Sequence, residues 1–150
     1  MNIKINLINK KAKIPRKATD FAGGWDVVAT EIIQVEKDFV ICNLGFSLQP
    51  PTNFKITLVP RSSITKSRWV MANSPGLGDP DFTGEYSMRF RCIPQFKSIF
   101  NPFFYEEFPY KVGERVGQLY VESIIPIKWD LTKELINHAR LPEGFGTTNK

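Results

Sequence analysis

Two carboxylates, Asp79 and Asp81, lie two residues apart inside the stretch Asn73 to Glu85, NSPGLGDPDFTGE. A carboxylate so placed can serve as a general acid or base, or take part in metal chemistry. The stretch alone does not rank the two. It also holds three glycines, two prolines and one aromatic residue in thirteen positions. Gly and Pro exclude a helix interior. A Gly-rich turn lets a flat ligand approach backbone N–H and C=O groups closely.

Four further segments carry residue types suited to chemistry. Ala22 to Asp26, AGGWD, is a tight turn with Asp26 at the start of a strand. Pro60 to Ser63, PRSS, ends a strand and opens a helical turn. The Arg61 guanidinium is a rigid fork for phosphate oxygens, and the hydroxyls of Ser62 and Ser63 with the free N–H groups of a helix start suit an anion. Gly113 to Leu119, GERVGQL, sets Gln118 among apolar neighbours, either as an ordinary exposed strand position or as a buried donor for a water or phosphate. Arg140 with Gly144-Phe145-Gly146-Thr147-Thr148 combines a cation, hydroxyls and Gly-supplied amides that can wrap a triphosphate, with a ring that can stack on a base. Each has a plain alternative: a turn, an N-cap with a surface Arg, an outward-facing Gln, a disordered tail.

The elements that must position these groups are short strands. Apolar or alternating runs occur at Ile3–Leu7, Ala12–Pro15, Asp26–Thr30, Glu31–Val35, Phe39–Leu44, Phe54–Val59, Met88–Ile93 and Val116–Val121. Trp69–Ala72 and Tyr86–Phe90 flank the Asn73–Glu85 stretch, which reads as a hairpin with an elaborate turn. Short strands at near-even spacing predict an all-β sandwich or barrel. Helix signals are confined to Ser62-Ser63 with Ile64–Trp69, and to Asp130–His138, which is either a short helix or part of an extended arm.

At 150 residues the chain is expected to form a single domain over 1–150. Its longest apolar runs are too short to cross a membrane. The N-terminus lacks an apolar h-region, so no secretory signal is expected. One histidine and two separated cysteines, Cys42 and Cys92, offer no caged metal site, and the thiols are expected free and buried in a reducing compartment. The net charge is +5, and six Lys/Arg residues precede Asp20. This cluster could attract a polyanion, but without interleaved aromatics it reads better as a solvated edge strand guarded by lysines than as a nucleic-acid surface. Ile99 to Tyr110, dense in Phe and Tyr, is either a loop pinned to the core by its rings or an exposed patch for a partner.

Taken together and in this order, the five segments resemble the motifs of the trimeric dUTPases, the deoxyuridine triphosphate nucleotidohydrolases. The resemblance runs from Ala12 to the C-terminus, and PRSS, the Gly76–Glu85 pattern, GERVGQL and GFGTT carry it. It implies a jelly-roll-like all-β fold with one short helix and a mobile arm at 139–150. It implies a homotrimer with sites shared between chains, a cytoplasmic location (the host cytoplasm for a viral chain), and Mg²⁺-dependent hydrolysis of dUTP to dUMP and pyrophosphate. The dUMP would feed dTMP synthesis, and removal of dUTP would limit uracil in DNA.

The same resemblance implies the residue roles. Asp79 is the base that activates the attacking water, and Asp81 braces the turn. Asn73, Gly76 and Leu77 belong to the backbone that reads uracil, and Phe82 lies under the deoxyribose. Arg61, Ser62 and Ser63 bind phosphates, and Gln118 holds the water or the α-phosphate. Asp26 contacts the water shell of the metal or braces the site. Arg140, Phe145, Gly146, Thr147 and Thr148 close over the nucleotide.

Departures from the family pattern are Gly78 for Ile, Phe82 for Tyr, Gly117 for Ala, Trp25 for Tyr and Leu141-Pro142-Glu143 for a Gly-rich link. Rival expectations are a dCTP deaminase on the same fold, and a dUTP-gated switch that engages a protein partner at Ile99–Tyr110.

Overall fold

The structure is a computed structural model that describes residues 1–97, 99–100 and 102–133. Alternation along the chain becomes strands with one buried face. Strands β1 (Lys4–Leu7), β2 (Trp25–Val28), β3 (Glu31–Glu36), β4 (Phe39–Asn43), β5 (Phe46–Gln49) and β6 (Phe54–Pro60) precede a 3₁₀ turn at Ser62–Lys66. Strands β7 (Trp69–Met71), β8 (Gly76–Gly78), β9 (Ser87–Cys92), β10 (Gln95–Phe96), β11 (Phe103–Phe104) and β12 (Arg115–Ser123) follow.

Two four-stranded antiparallel sheets carry the fold, ordered β2-β12-β6-β8 and β3-β4-β9-β7. In β4, Val40 and Cys42 are fully buried between half-buried neighbours; in β9, Met88, Phe90 and Cys92 turn inward. Opposite them stand Val27, Ile56, Leu58, Val116 and Leu119 from β2, β6 and β12. The Met88 thioether fills the space that a side chain at Gly117 would occupy, which interlocks β9 with β12 across the core. The arrangement is the expected jelly-roll-like all-β fold. Cys42 and Cys92 are both free and buried.

Several local expectations change. Trp69–Met71 and Ser87–Cys92 do pair, with Trp69 opposite Cys92 and Met71 opposite Phe90. The stretch between them is not one turn, however. It leaves its own sheet, and β8 pairs with β6 in the other, with Gly78 opposite Ile56 and Gly76 opposite Leu58. A three-residue strand with glycine at both ends has no apolar alternation to betray it. Ala12–Pro15 is not a strand; instead Arg16 and Asp26 exchange backbone hydrogen bonds of 3.3 and 2.8 Å. Of the six N-terminal cations only Lys4 lies on a strand, so the guarded-edge reading fails for the rest.

The expected helical turn is 3₁₀, with Ser62 and Ser63 inside it; Arg61 is its N-cap and forms no side-chain capping bond. Asp130–Lys133 is irregular. The remainder of Asp130–His138, and Arg140, Phe145, Gly146, Thr147 and Thr148, lie outside the described residues.

The aromatic segment divides: its second half is pinned to the core, as the first reading expects, whereas several residues of its first half stay exposed. The Trp69 indole N–H donates to the carbonyls of Glu106 (3.0 Å) and Glu107 (3.1 Å), and the Arg68 N–H donates to the Glu106 carboxylate at 2.7 Å. Phe108 then packs on Trp69 and Phe90, and Tyr110 packs on Phe108. Ile99 and Phe100 are almost fully exposed, and Phe103 is more than half exposed.

Candidate active site

The β8 crossing builds a cleft of about 390 Å³ against β6 and β9. Asn73, Gly76, Leu77, Asp79 and Phe82, all marked by the sequence, line it together. Gly76 and Gly78 are buried, while Leu77 between them is exposed. A Cβ on Gly76 would come within 3.3 Å of both Leu58 Cβ and Met71 Cε, so glycine is what allows this backbone to lie so close to β6. Asp79 follows directly, and its carbonyl accepts the Phe82 N–H at 3.1 Å, which curls Phe82 back over the cleft. Glu85 Oε1 accepts the Gly45 N–H at 2.8 Å and pins the far end of the stretch. The cleft therefore offers one backbone edge, one aromatic ring and an exposed carboxylate, a set that suits a flat heterocycle with a polar rim.

Tyr86 lines the same cleft and was missed by sequence reasoning. Its ring packs edge-on to Phe82, with centroids 5.3 Å apart. Burial, and after it the charge of Asp79, pushes its phenol up to about 12. The residue looked like the first apolar position of a strand, so nothing in its pattern marked it.

A second polar group forms where β2, β12 and the end of β6 meet. Asp26 stands directly opposite Gln118. Gln118 Nε2 donates to Asp26 Oδ1 at 3.1 Å, and Arg115 donates to Asp26 Oδ2 at 2.8 Å. Both oxygens of this carboxylate, which is only 8% exposed, are thus engaged. Arg61 donates to the Arg115 carbonyl at 3.2 Å, and Ser63 Oγ hydrogen-bonds the Tyr110 hydroxyl at 2.8 Å. Ser62 is exposed and its carbonyl accepts the Thr65 hydroxyl. Arg115 was not singled out from the sequence, although it lies within GERVGQL; only the strand pairing shows that it meets Asp26. Beside it, Lys13, Arg16, Lys17 and Arg115 surround a cavity of about 670 Å³ that reaches Asp26. The basic N-terminal residues therefore create a positive concavity at this second group.

The structure thus brings the marked residues together in two places. None of Asp26, Arg61, Ser62, Ser63 or Gln118 lines the Asp79 cleft. Among the described residues no three His, Cys, Asp or Glu side chains converge as a metal cage. No described helix is long and apolar enough to cross a membrane.

Comparison with known proteins fits this geometry. The family described as dUTPase matches residues 10–149. The deoxyuridine 5'-triphosphate nucleotidohydrolase of Helicobacter pylori is 29% identical over 150 residues, covering 99% of this chain and 97% of that protein. Among solved structures, the dUTPase of Staphylococcus bacteriophage 80alpha with dUPNHPP superposes with a TM-score of 0.77 at 17% identity, covering 98% of each chain. A mutant dUTPase from phage phi11 of S. aureus, described with a structural Mg(II) ion, superposes with a TM-score of 0.70 at 13% identity, covering 89% of this chain and 98% of that one. At such identities the structural likeness speaks for the fold alone. The family match spans nearly the whole sequence, and on that ground the chain is an enzyme of the dUTPase family.

Proposed function

We propose that the protein hydrolyses dUTP to dUMP and pyrophosphate, with a water activated by Asp79 attacking the α-phosphorus. The observation that carries this reading is the Asp79 cleft, which pairs an exposed carboxylate with the Phe82 ring and a close-packed Gly76–Gly78 backbone. The backbone at Asn73, Gly76 and Leu77 would pair with the uracil edge and would leave no space for the methyl group of thymine. Phe82 would lie beneath the deoxyribose and leave no room for a 2′-hydroxyl. Asp79 needs only hydrogen-bond reach of the water and a proton to accept.

Arg61, Ser62 and Ser63 would take phosphate oxygens, with the positive concavity at Lys13, Arg16 and Lys17 raising the local anion concentration. Gln118 would hold the water or the α-phosphate. Arg140, Phe145, Gly146, Thr147 and Thr148 would close over the nucleotide as an arm. In the absence of a carboxylate cage among the described residues, the donor set suits Mg²⁺ carried on substrate phosphates and water rather than a resident ion. Asp26 would meet it only through water, and its two engaged oxygens favour a bracing role. Bound there, Mg²⁺ would neutralise developing phosphate charge.

The site requires more than one chain in this reading. The two marked groups line different surfaces of the protomer, as expected if a homotrimer joins the cleft of one chain to the phosphate ligands of another. Ile125, Ile127, Trp129 and Leu131, alternating after β12, are 75, 67, 92 and 100% exposed, which supports packing on a neighbouring chain. The buried free thiols suit a reducing compartment such as the cytoplasm.

Pyrophosphate release measured across dUTP, dTTP, dCTP and UTP tests reaction, base and sugar selectivity at once. Turnover confined to dUTP is the expected result; ammonia from dCTP would favour a deaminase instead. A second reading, a nucleotide-gated surface for a protein partner, is favoured by exposed Ile99, Phe100 and Phe103. Partner capture that does not change with a non-hydrolysable dUTP analogue would rule it out.

A further inference from the structure

Phe82 lies in an exposed turn, and the core does not enclose its ring. An exposed side chain changes rotamer freely unless its neighbours hold it. Here the backbone is fixed first: the Phe82 N–H donates to the Asp79 carbonyl at 3.1 Å. The ring then lies back against Gly84, where a Cβ would stand 2.7 Å from Phe82 Cζ and 2.9 Å from Cε2. The φ of Gly84 is not positive, so glycine is needed there for the room it leaves the ring and not for its backbone freedom. Finally the ring meets that of Tyr86, with centroids 5.3 Å apart and planes at 78°.

Tyr86 is the firm partner in this pair. It is 3% exposed. Its N–H donates to the Phe46 carbonyl at 2.9 Å, and its carbonyl accepts the Leu44 N–H at 3.0 Å. Its ring stacks on the fully buried Phe46 at 26°, with centroids 6.1 Å apart. Its far end fills the space of a Gly78 side chain, and its hydroxyl makes no hydrogen bond. What Tyr86 gives the cleft is therefore its ring. Phe46, Tyr86 and Phe82 form a file of rings from the core to the cleft surface.

We propose that Tyr86 is a specificity-determining residue that acts through Phe82: its ring sets the attitude of the Phe82 ring and thereby the rejection of a 2′-hydroxyl. This rests on the reading of Phe82 as the surface beneath the deoxyribose. An apolar surface rejects an added hydroxyl weakly, and more weakly still when it can yield. Without a ring at position 86, Phe82 keeps only its backbone bond and the Gly84 contact, and it can tilt away from a ribose.

The test is the ratio of kcat/KM for dUTP to that for UTP. Tyr86→Leu removes the ring and keeps an apolar side chain. The ratio is expected to fall roughly three- to tenfold, the scale of one lost aromatic pair. Tyr86→Phe keeps the ring and is expected to keep the ratio of the parent. A purely structural role would lower both nucleotides together and leave the ratio unmoved. The double variant Gly78→Ile with Tyr86→Val refills the volume beneath β8 and still offers Phe82 no ring, so its ratio is expected to fall as well; it carries the test if Tyr86→Leu does not fold. A parent-like ratio in the ring-less variants would overturn the proposal. Phe82→Leu tells this failure from failure of the reading beneath it. If Phe82→Leu lowers the ratio and the ring-less variants do not, Phe82 remains the sugar surface and Tyr86 loses its role. If Phe82→Leu also leaves the ratio unchanged, both are overturned.

Discussion

The phenol ring of Tyr86 occupies the space that a side chain at Gly78 would fill: a Cβ added there would lie on its ring carbons and hydroxyl. The absence of a side chain next to Asp79 is therefore not slack in the backbone. It is volume supplied from the far end of the same stretch, beneath a strand that pairs with β6.

This coupling predicts non-additive mutants. Gly78→Ile alone should cost about 1–3 kcal/mol by overpacking against a ring held by Phe46 and Phe82. Combining Gly78→Ile with Tyr86→Val should recover much of that loss, because the two exchange volume. Urea denaturation of both single mutants and the double mutant measures it; simple additivity would show that the two sites do not share space.

Asp79→Asn keeps the shape of the side chain and removes its basicity. Turnover should fall by roughly 10²–10⁴-fold while affinity for a non-hydrolysable dUTP analogue stays near that of the parent. Calorimetric titration beside a pyrophosphate assay separates the two effects, and near-normal turnover would mean the base lies elsewhere.

Arg115→Gln tests the second polar group. Arg115 is half exposed in its pair with Asp26, so stability should change by no more than about 1 kcal/mol. Activity should fall further than that, because Asp26 would be left with Gln118 alone and the positive concavity would lose a cation. A large loss of stability with full specific activity would make the pair a structural brace only.

Alkaline stability follows from two buried acids. Burial raises Cys42 from 9.0 to about 12, and Tyr86 rises from 10.0 to about 12. Both folded values lie above the unfolded ones, so the uncharged forms are favoured in the fold. Their contribution is complete below pH 9.0 and is lost as pH rises toward about 12. Denaturation midpoints should be flat on the acid side of this window and fall across it, and Cys42→Ala should flatten the first part of that fall. The same burial predicts that Cys42 resists thiol reagents until the protein unfolds.

Removing residues 140–150 should abolish dUTP hydrolysis and leave the sedimentation coefficient and the far-ultraviolet dichroism unchanged. Sedimentation alongside the assay checks both, and full activity after truncation would remove the arm from the mechanism.

Much of this protein is written in local pattern. The strands β4, β6, β9 and β12 were legible because inward apolar residues alternate or cluster along them, which is what a half-buried strand requires. Asp79, Phe82, Asn73, Gly76 and Leu77 could be named together because they are neighbours in the chain, and folding left them in one cleft. Tertiary structure alone decided what depends on partners distant in sequence. Gly76–Gly78 became a strand only because β6 offered an edge. Arg115 gained a role only when β12 carried it to Asp26, 89 positions away. Tyr86 passed for an ordinary core aromatic until its hydroxyl was found against Gly78 without a partner. Periodicity reports which face of a strand is buried, but not which polar atoms that burial leaves unpaired or which distant side chain fills the space above a glycine.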